Sequence, residues 1–221
     1  MTDGQVQAIE LFARNCDGSC SAAHARKVTD LSTSLFDQLL TLGLLPDLTA
    51  SDRRVLVAAS HVHDSGPYET TLAGSAVLPS WVPTEPQEDA IGAAACQKLR
   101  EWLVNPPPSL TLDPLSPEDR SMLLYSVLWS TAPEPFEIPE EPLLNPDNTL
   151  KLASMLRLAD GLAEPPRNLV AGLRVVRSAS WVRVLARSVA DISKEVSTAQ
   201  QQSDMLARSL GLRVFVQQVV E

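Results

Sequence analysis

The chain has 221 residues, is 44% hydrophobic and 20% charged, and carries a net charge of −9. That composition suits one or two globular domains with ample apolar material for a core. No apolar run reaches the roughly 18 to 20 residues of a membrane span, the first residues lack the pattern of a secretory signal, and three cysteines do not make a disulfide framework, so the expectation is a reduced, cytoplasmic protein without membrane partners.

The charge is uneven. Residues 1–150 carry 8 Lys/Arg against 21 Asp/Glu, a balance of −13, and residues 151–221 carry 10 against 6, a balance of +4. An acidic chain is a poor general partner for phosphate backbones, so nucleic acid is not expected as a ligand. The basic tail reads either as a solvated mixed surface or as a face for an anionic ligand or an acidic partner.

In chain order, residues 20–45 predict a helix, with Val28, Leu31, Leu35, Leu39 and Leu42 recurring at three and four residues and Gly43 as the stop. A turn follows at Pro46-Asp47-Leu48-Thr49, and Ser51 or Asp52 is placed to cap a second helix through Val55, Leu56, Ala58, Ala59 and Val62. Ser65-Gly66-Pro67 breaks it, leaving His63 and Asp64 at its C-terminal end. Residues 67–86 read as a loop, 87–104 as a helix, and Asn105 to Pro108 as a rigid break. Ser116-Pro117-Glu118-Asp119 is a helix start running on through Met122, Leu123, Tyr125, Val127 and Leu128. A stiff acidic loop at 132–147 precedes a helix from Asp147 or Asn148, ended by Pro165-Pro166. There the pattern changes. Residues 169–176 and 180–187 have the β-branched content of a hairpin, 190–209 reads as a helix, and 212–219 alternates as a strand. The expected architecture is mainly α, a helical domain over 1–166 followed by a small α+β unit (β-β-α-β) over 167–221.

Four residues stand out on these helices, in the order His24, His63-Asp64, Asp160. Imidazole nitrogen and carboxylate oxygen together suit a divalent transition metal or magnesium. Two adjacent ligands at a frayed helix end can turn toward one point, and His24 and Asp160 would come from neighbouring helices of a bundle. Each residue alone is ordinary, since a lone His or Asp on a helix is more often a surface or satisfied core residue.

The surrounding sequence resembles the HD domain in the C-terminal half of the exopolyphosphatase/guanosine pentaphosphate phosphatase family. His24, Val28, Leu31, Leu35, Phe36 and Leu39 resemble its first helix. Arg54, Leu56, Ala58 and Ala59, leading to His63, Asp64 and Gly66, resemble its HD helix. Residues 115–124, LSPEDRSMLL, are similar to the following helix, and 156–162, LRLADGL, to the last. The run from Ser203, SDMLARSLGLRV, is similar to the family's ending, so the resemblance covers roughly residues 20–220.

The resemblance implies an HD-type bundle whose metal ligands are His24, His63, Asp64 and Asp160. It implies a divalent cofactor, with Mn, Mg, Fe and Zn not distinguished. Two departures bear on this. Ser65-Gly66-Pro67 stands where the family has Ile-Gly before a His-rich stretch, and Leu128-Trp129-Ser130 where it has Tyr-His, so the ligands of a second metal are missing. The family's actin-like phosphatase module has no place in this length either, and the chain reads as the HD-like part alone.

Two functions follow. One is a metal-dependent phosphohydrolase acting on a nucleotide, polyphosphate or phosphate ester, with Asp64 orienting water. Arg157, three residues before Asp160, and Lys27, three after His24, would then contact phosphate; otherwise they are exposed helix charges. The other is a non-catalytic regulatory or binding module for an anionic ligand, a second copy of the chain or a partner phosphatase subunit. Cys16 and Cys20, spaced by four with His24, form a weaker soft-metal candidate, since Gly18 lies between them and no fourth ligand is evident. His61 should point away from His63, and Trp81, Trp102, Trp129 and Trp181 read as packing residues.

Overall fold

The computed structural model describes residues 1–15, 22–64, 99–101, 103, 105, 115–131, 143–164 and 167–220. Several predicted features lie outside those residues: Cys16 and Cys20, the Ser65-Gly66-Pro67 break, the 67–86 loop, most of the 87–104 helix, the prolines at 106–108, most of the 132–147 loop, and Pro165-Pro166.

The described chain is mainly helical with a small three-stranded sheet at its C-terminal end. Helices α1 (Asp3–Asn15), α2 (Ala22–Thr41), α3 (Ala50–Val62), α4 (Pro117–Thr131) and α5 (Pro146–Leu162) come first. The strands β1 (Gly172–Arg177) and β2 (Trp181–Ser188), helices α6 (Ser193–Gln201) and α7 (Asp204–Leu210), and strand β3 (Arg213–Val220) follow. None of the described helices is long and apolar enough to cross a membrane.

The apolar period of α2 becomes a buried stripe of Val28, Leu31, Leu35, Phe36 and Leu39. Gly43 ends the segment in a left-handed conformation, φ 68°, which a residue without Cβ adopts freely. Helix α3 begins earlier than expected. Thr49 is its cap: its hydroxyl accepts from the Ser51 and Asp52 amides, and Asp52 accepts from the Thr49 amide at 2.6 Å. This capping box places Ser51 and Asp52 inside the first turn rather than at the cap.

Helix α4 follows its predicted start, with Ser116 Oγ accepting from the Asp119 amide at 3.1 Å. Residues 121–128 are all buried, as befits a helix packed between α3 and α5. Helix α5 also starts earlier than expected, with Asn145 as cap and Pro146 in the first turn. Asn148 has a different task, donating from Nδ2 to the Asp47 carbonyl at 3.3 Å and so tying α5 to the turn before α3. Helix α1 has no counterpart in the sequence reading. It packs on α3 through a short stripe that includes Ile9 and Phe12.

The hairpin pairs β1 with β2 antiparallel, Gly172 opposite Arg187 through Arg177 opposite Val182. Strand β3 runs parallel to β2, Trp181 opposite Arg213 through Ser188 opposite Val220. The connection between them is two helices, where the apolar pattern predicts one over 190–209. The break lies at Gln202-Ser203. Ser203 donates its hydroxyl to the Gln200 carbonyl at 2.7 Å, the local side-chain bond by which serine competes with the helical ladder. One face of the sheet packs against α2, α6 and α7. Its buried side chains belong to the same apolar cluster as those of α2, α3, α4 and α5.

Candidate metal centre

Three helix ends meet at one point. His24 is the third residue of α2, His63 is the C-cap of α3, Asp64 follows it in the turn, and Asp160 lies in the last turn of α5. Helices α2, α3 and α5 pack against one another in all three pairings, which is what brings residues far apart in sequence together. Two of the three contribute their C-terminal ends, where the unpaired carbonyls favour a cation.

The ligand atoms of these four residues all lie within 4.8 Å of one another. His24 Nε2 is 3.0 Å from Asp160 Oδ1 and 3.4 Å from Asp64 Oδ2. His63 Nε2 is 3.3 Å from Asp160 Oδ1 and 3.5 Å from Asp64 Oδ2. Ligands bound at about 2.1 Å in a tetrahedron sit roughly 3.4 Å apart, so the four imidazole–carboxylate separations match a shared cation, and the widest pair of the quartet, up to 4.8 Å, would have to draw in around it. They also fit charge-assisted hydrogen bonds between imidazolium and carboxylate.

The other ring nitrogens settle how the imidazoles face the centre. His24 Nδ1 is 3.1 Å from the Ala163 carbonyl and His63 Nδ1 is 2.9 Å from the Ser60 carbonyl. A carbonyl only accepts, so both Nδ1 atoms carry hydrogen and donate. Each neutral ring would then aim its Nε2 lone pair at carboxylate oxygens. Such an arrangement needs a proton or a metal ion between nitrogen and oxygen, and the backbone bonds on the far side are the orienting partners that metal-bound histidines characteristically have.

Without a metal, protons fill that role. Burial opposes charge on His24, but Asp160 and Asp64 outweigh it and hold its pKa at about 10. Burial likewise opposes charge on His63, and the charge of Asp64 with the bond to Asp160 raises it to about 9. Burial works to raise the Asp160 pKa, yet the hydrogen bonds from His24 and His63 hold it well below the carboxylate range.

The quartet predicted from sequence is therefore brought together. The Ser60 and Ala163 carbonyls that orient it carry no side-chain signal and are invisible in sequence. Buried Ser60 also links α3 to α2, its hydroxyl 3.0 Å from that of Ser32. The two cations expected at phosphate are engaged differently. Lys27 donates to the Val170 carbonyl at 2.7 Å, tying α2 to the segment before β1. Arg157 approaches the Ser130 carbonyl at 3.5 Å through Nη1, while its buried Nε has no partner among the described residues. His61 stays out of the quartet: burial lowers its pKa, and Glu10 and Arg14 are among the charges it senses. No protein-family model and no curated protein matches the chain.

Proposed function

We propose that the chain is an HD-type protein that holds one divalent metal ion on His24, His63, Asp64 and Asp160 and hydrolyses a phosphate ester, nucleotide or polyphosphate. The observation that carries this reading is the facing of two Nε2 atoms and two carboxylates across one small space. The order of the four residues and their resemblance to the HD helices of the exopolyphosphatase/guanosine pentaphosphate phosphatase family support it. Two imidazoles in the donor set favour Mn, Fe or Zn over the all-oxygen preference of Mg.

When bound, such an ion supplies Lewis acidity toward water and toward a phosphoryl oxygen. The remaining roles belong to the chain. Asp64 is the one ligand outside a helix and its cap, on the turn after α3, with its side chain 29% exposed. Its Oδ2 faces the histidines and its Oδ1 makes no hydrogen bond among the described residues. Oδ1 orients the attacking water and accepts its proton. Arg157, one helical turn before Asp160, is the cation for the charge developing on phosphate; its Nε is buried and its Nη1 lies 3.5 Å from the Ser130 carbonyl, so its side chain must turn to reach substrate. His24 and His63, fixed through Nδ1, hold the site in register.

The test is hydrolysis of a panel of phosphate mono- and diesters, nucleotides and polyphosphate by protein loaded separately with Mn, Fe or Zn, beside Asp64→Asn and Arg157→Ala. The proposal expects turnover that falls at least about a hundredfold in Asp64→Asn, the low end of a general-base contribution. Metal binding without turnover on any member would favour the second reading, a non-catalytic regulatory module. The bond from Lys27 to a backbone carbonyl is the observation on that side, since it engages one of the two cations expected at substrate.

A further inference from the structure

Strands β1, β2 and β3 contain no Asp or Glu. Their inward positions, among them Leu173, Val175, Val182, Val184, Val214 and Val216, are buried. Successive side chains on a strand alternate between faces, so the intervening positions form the opposite surface of the sheet. That surface carries Arg174 from β1, Arg183 and Arg187 from β2, and Arg213 from β3. The register sets Trp181 opposite Arg213 and Arg183 opposite Phe215. Cations and aromatic rings therefore adjoin across neighbouring strands.

The arrangement is built rather than scattered. The Arg183 guanidinium carbon lies 4.8 Å from the centroid of the Trp181 ring, and Arg183 Nε has no hydrogen-bond partner among the described residues. Gly172 stands opposite Arg187, and a Cβ there would come within 2.8 Å of Arg187 Nη2, so the glycine lets that guanidinium lie across β1. Arg174 and Arg213 are exposed and make no ion pair among the described residues. Phe215 is 37% exposed. None of the acidic residues of this acidic chain, 27 against 18 basic, lies on the three strands.

The chemistry of the occupant follows. Clustered arginines call for a polyanion. The exposed Phe215 ring and the half-buried Trp181 ring beside them add nothing to the binding of phosphate alone, but such rings stack bases. An open sheet with ring and guanidinium side chains suits unpaired, splayed bases rather than a duplex groove. A symmetric contact between two copies would set arginine against arginine. We propose that this solvent face of the sheet binds single-stranded nucleic acid. The net charge of −9 does not oppose this, because charges beyond about 10 Å are largely screened at physiological salt. The site is separate from the metal centre and stands without it.

The test is fluorescence anisotropy with labelled oligouridylate and oligothymidylate of about 15 nucleotides, within the range one such platform covers, from about 50 to 200 mM salt. Unlabelled polyphosphate of matched phosphate number serves as competitor. Wild type binds the oligonucleotides. The Arg174→Ala/Arg213→Ala variant weakens binding and flattens the log–log salt slope by roughly 1.4, the loss of two phosphate contacts. Phe215→Ala weakens oligonucleotide binding about tenfold at an unchanged salt slope and leaves polyphosphate competition as it was. Absence of wild-type binding at the lowest salt would overturn the proposal. So would an indifference of oligonucleotide binding to Phe215→Ala, which marks a plain polyanion surface. A wild-type dimer in sedimentation that Phe215→Ala dissociates would overturn it in favour of self-association.

Discussion

The helical part and the sheet treat charge in opposite ways. At the junction of α2, α3 and α5, two imidazoles and two carboxylates share a space within 4.8 Å, and both histidines are almost wholly buried. Charges enclosed in that way must be compensated locally, and the compensation is visible in every contact they make. On the sheet, like charges are gathered at the surface, where water tolerates them and a ligand of opposite sign would relieve them. The first pattern could hold a small ion, and the second is the face proposed to take an extended one. A charged cluster is thus informative through where it lies and what surrounds it.

Proton competition sets the largest effect expected of this contrast. Metal-free, His63 and His24 keep their Nε2 protons up to pH about 9 and 10. A metal must displace both, so apparent affinity should rise with pH through that range, by up to about 100-fold per unit while both protons are displaced. The stability of the metal-free protein should move the other way. Groups whose folded pKa is raised above 6.5 contribute stability that is fully present below 6.5 and lost as pH rises toward 9 and 10. Thermal melts of metal-free and metal-loaded protein at pH 6 and pH 9.5 check both signs together. Oligonucleotide binding by the arginine face should not change over the same interval, since arginine stays protonated.

A smaller effect separates the two faces of the sheet. Val184→Ala removes fully buried methyls and should cost about 1 to 3 kcal/mol in urea denaturation. Phe215→Ala on the opposite face should stay within about 0.5 kcal/mol of wild type. Equal losses would show that the outer face is structural and remove the contrast. The smallest effect lies where sheet unit and metal centre adjoin. A Cβ at Gly161 would come within 2.3 Å of Gln202 Oε1 and 3.3 Å of Ala199 Cα. The glutamine tip can move but the backbone of α6 cannot. Gly161→Ala should therefore lose about 1 kcal/mol net, overpacking exceeding the gain in helix propensity, and should weaken metal binding by shifting adjacent Asp160.

The sequence shows the helical part and the quartet because periodicity and residue type carry those signals. Leu35 and Leu39 repeat on one face of α2, and two histidines with two aspartates are the ligands themselves. The β-branched stretches likewise show the hairpin and β3. What sequence does not show is backbone chemistry and tertiary choice. The Ser60 and Ala163 carbonyls have no residue signature. Thr49 takes the α3 cap although Ser51 and Asp52 are equally good capping residues, because Asp52 is better used reciprocally at the third position. The Gln202-Ser203 break depends on one hydroxyl turning back to Gln200. The arginine face emerges only once the register places Trp181, Arg183, Arg213 and Phe215 side by side, whereas overall charge argues against a polyanion.

One metal site is proposed on His24, His63, Asp64 and Asp160. Its most direct test is the metal content of untagged protein after dialysis against buffered Mn, Fe or Zn, compared with His63→Ala and Asp160→Asn, each checked for folding by circular dichroism. Wild type should hold about one ion per chain, with an affinity more than about a hundredfold lower in both variants, beyond the loss typical of outer partners. No stoichiometric metal in wild type at pH 9, where proton competition is far weaker than at neutral pH, would contradict it.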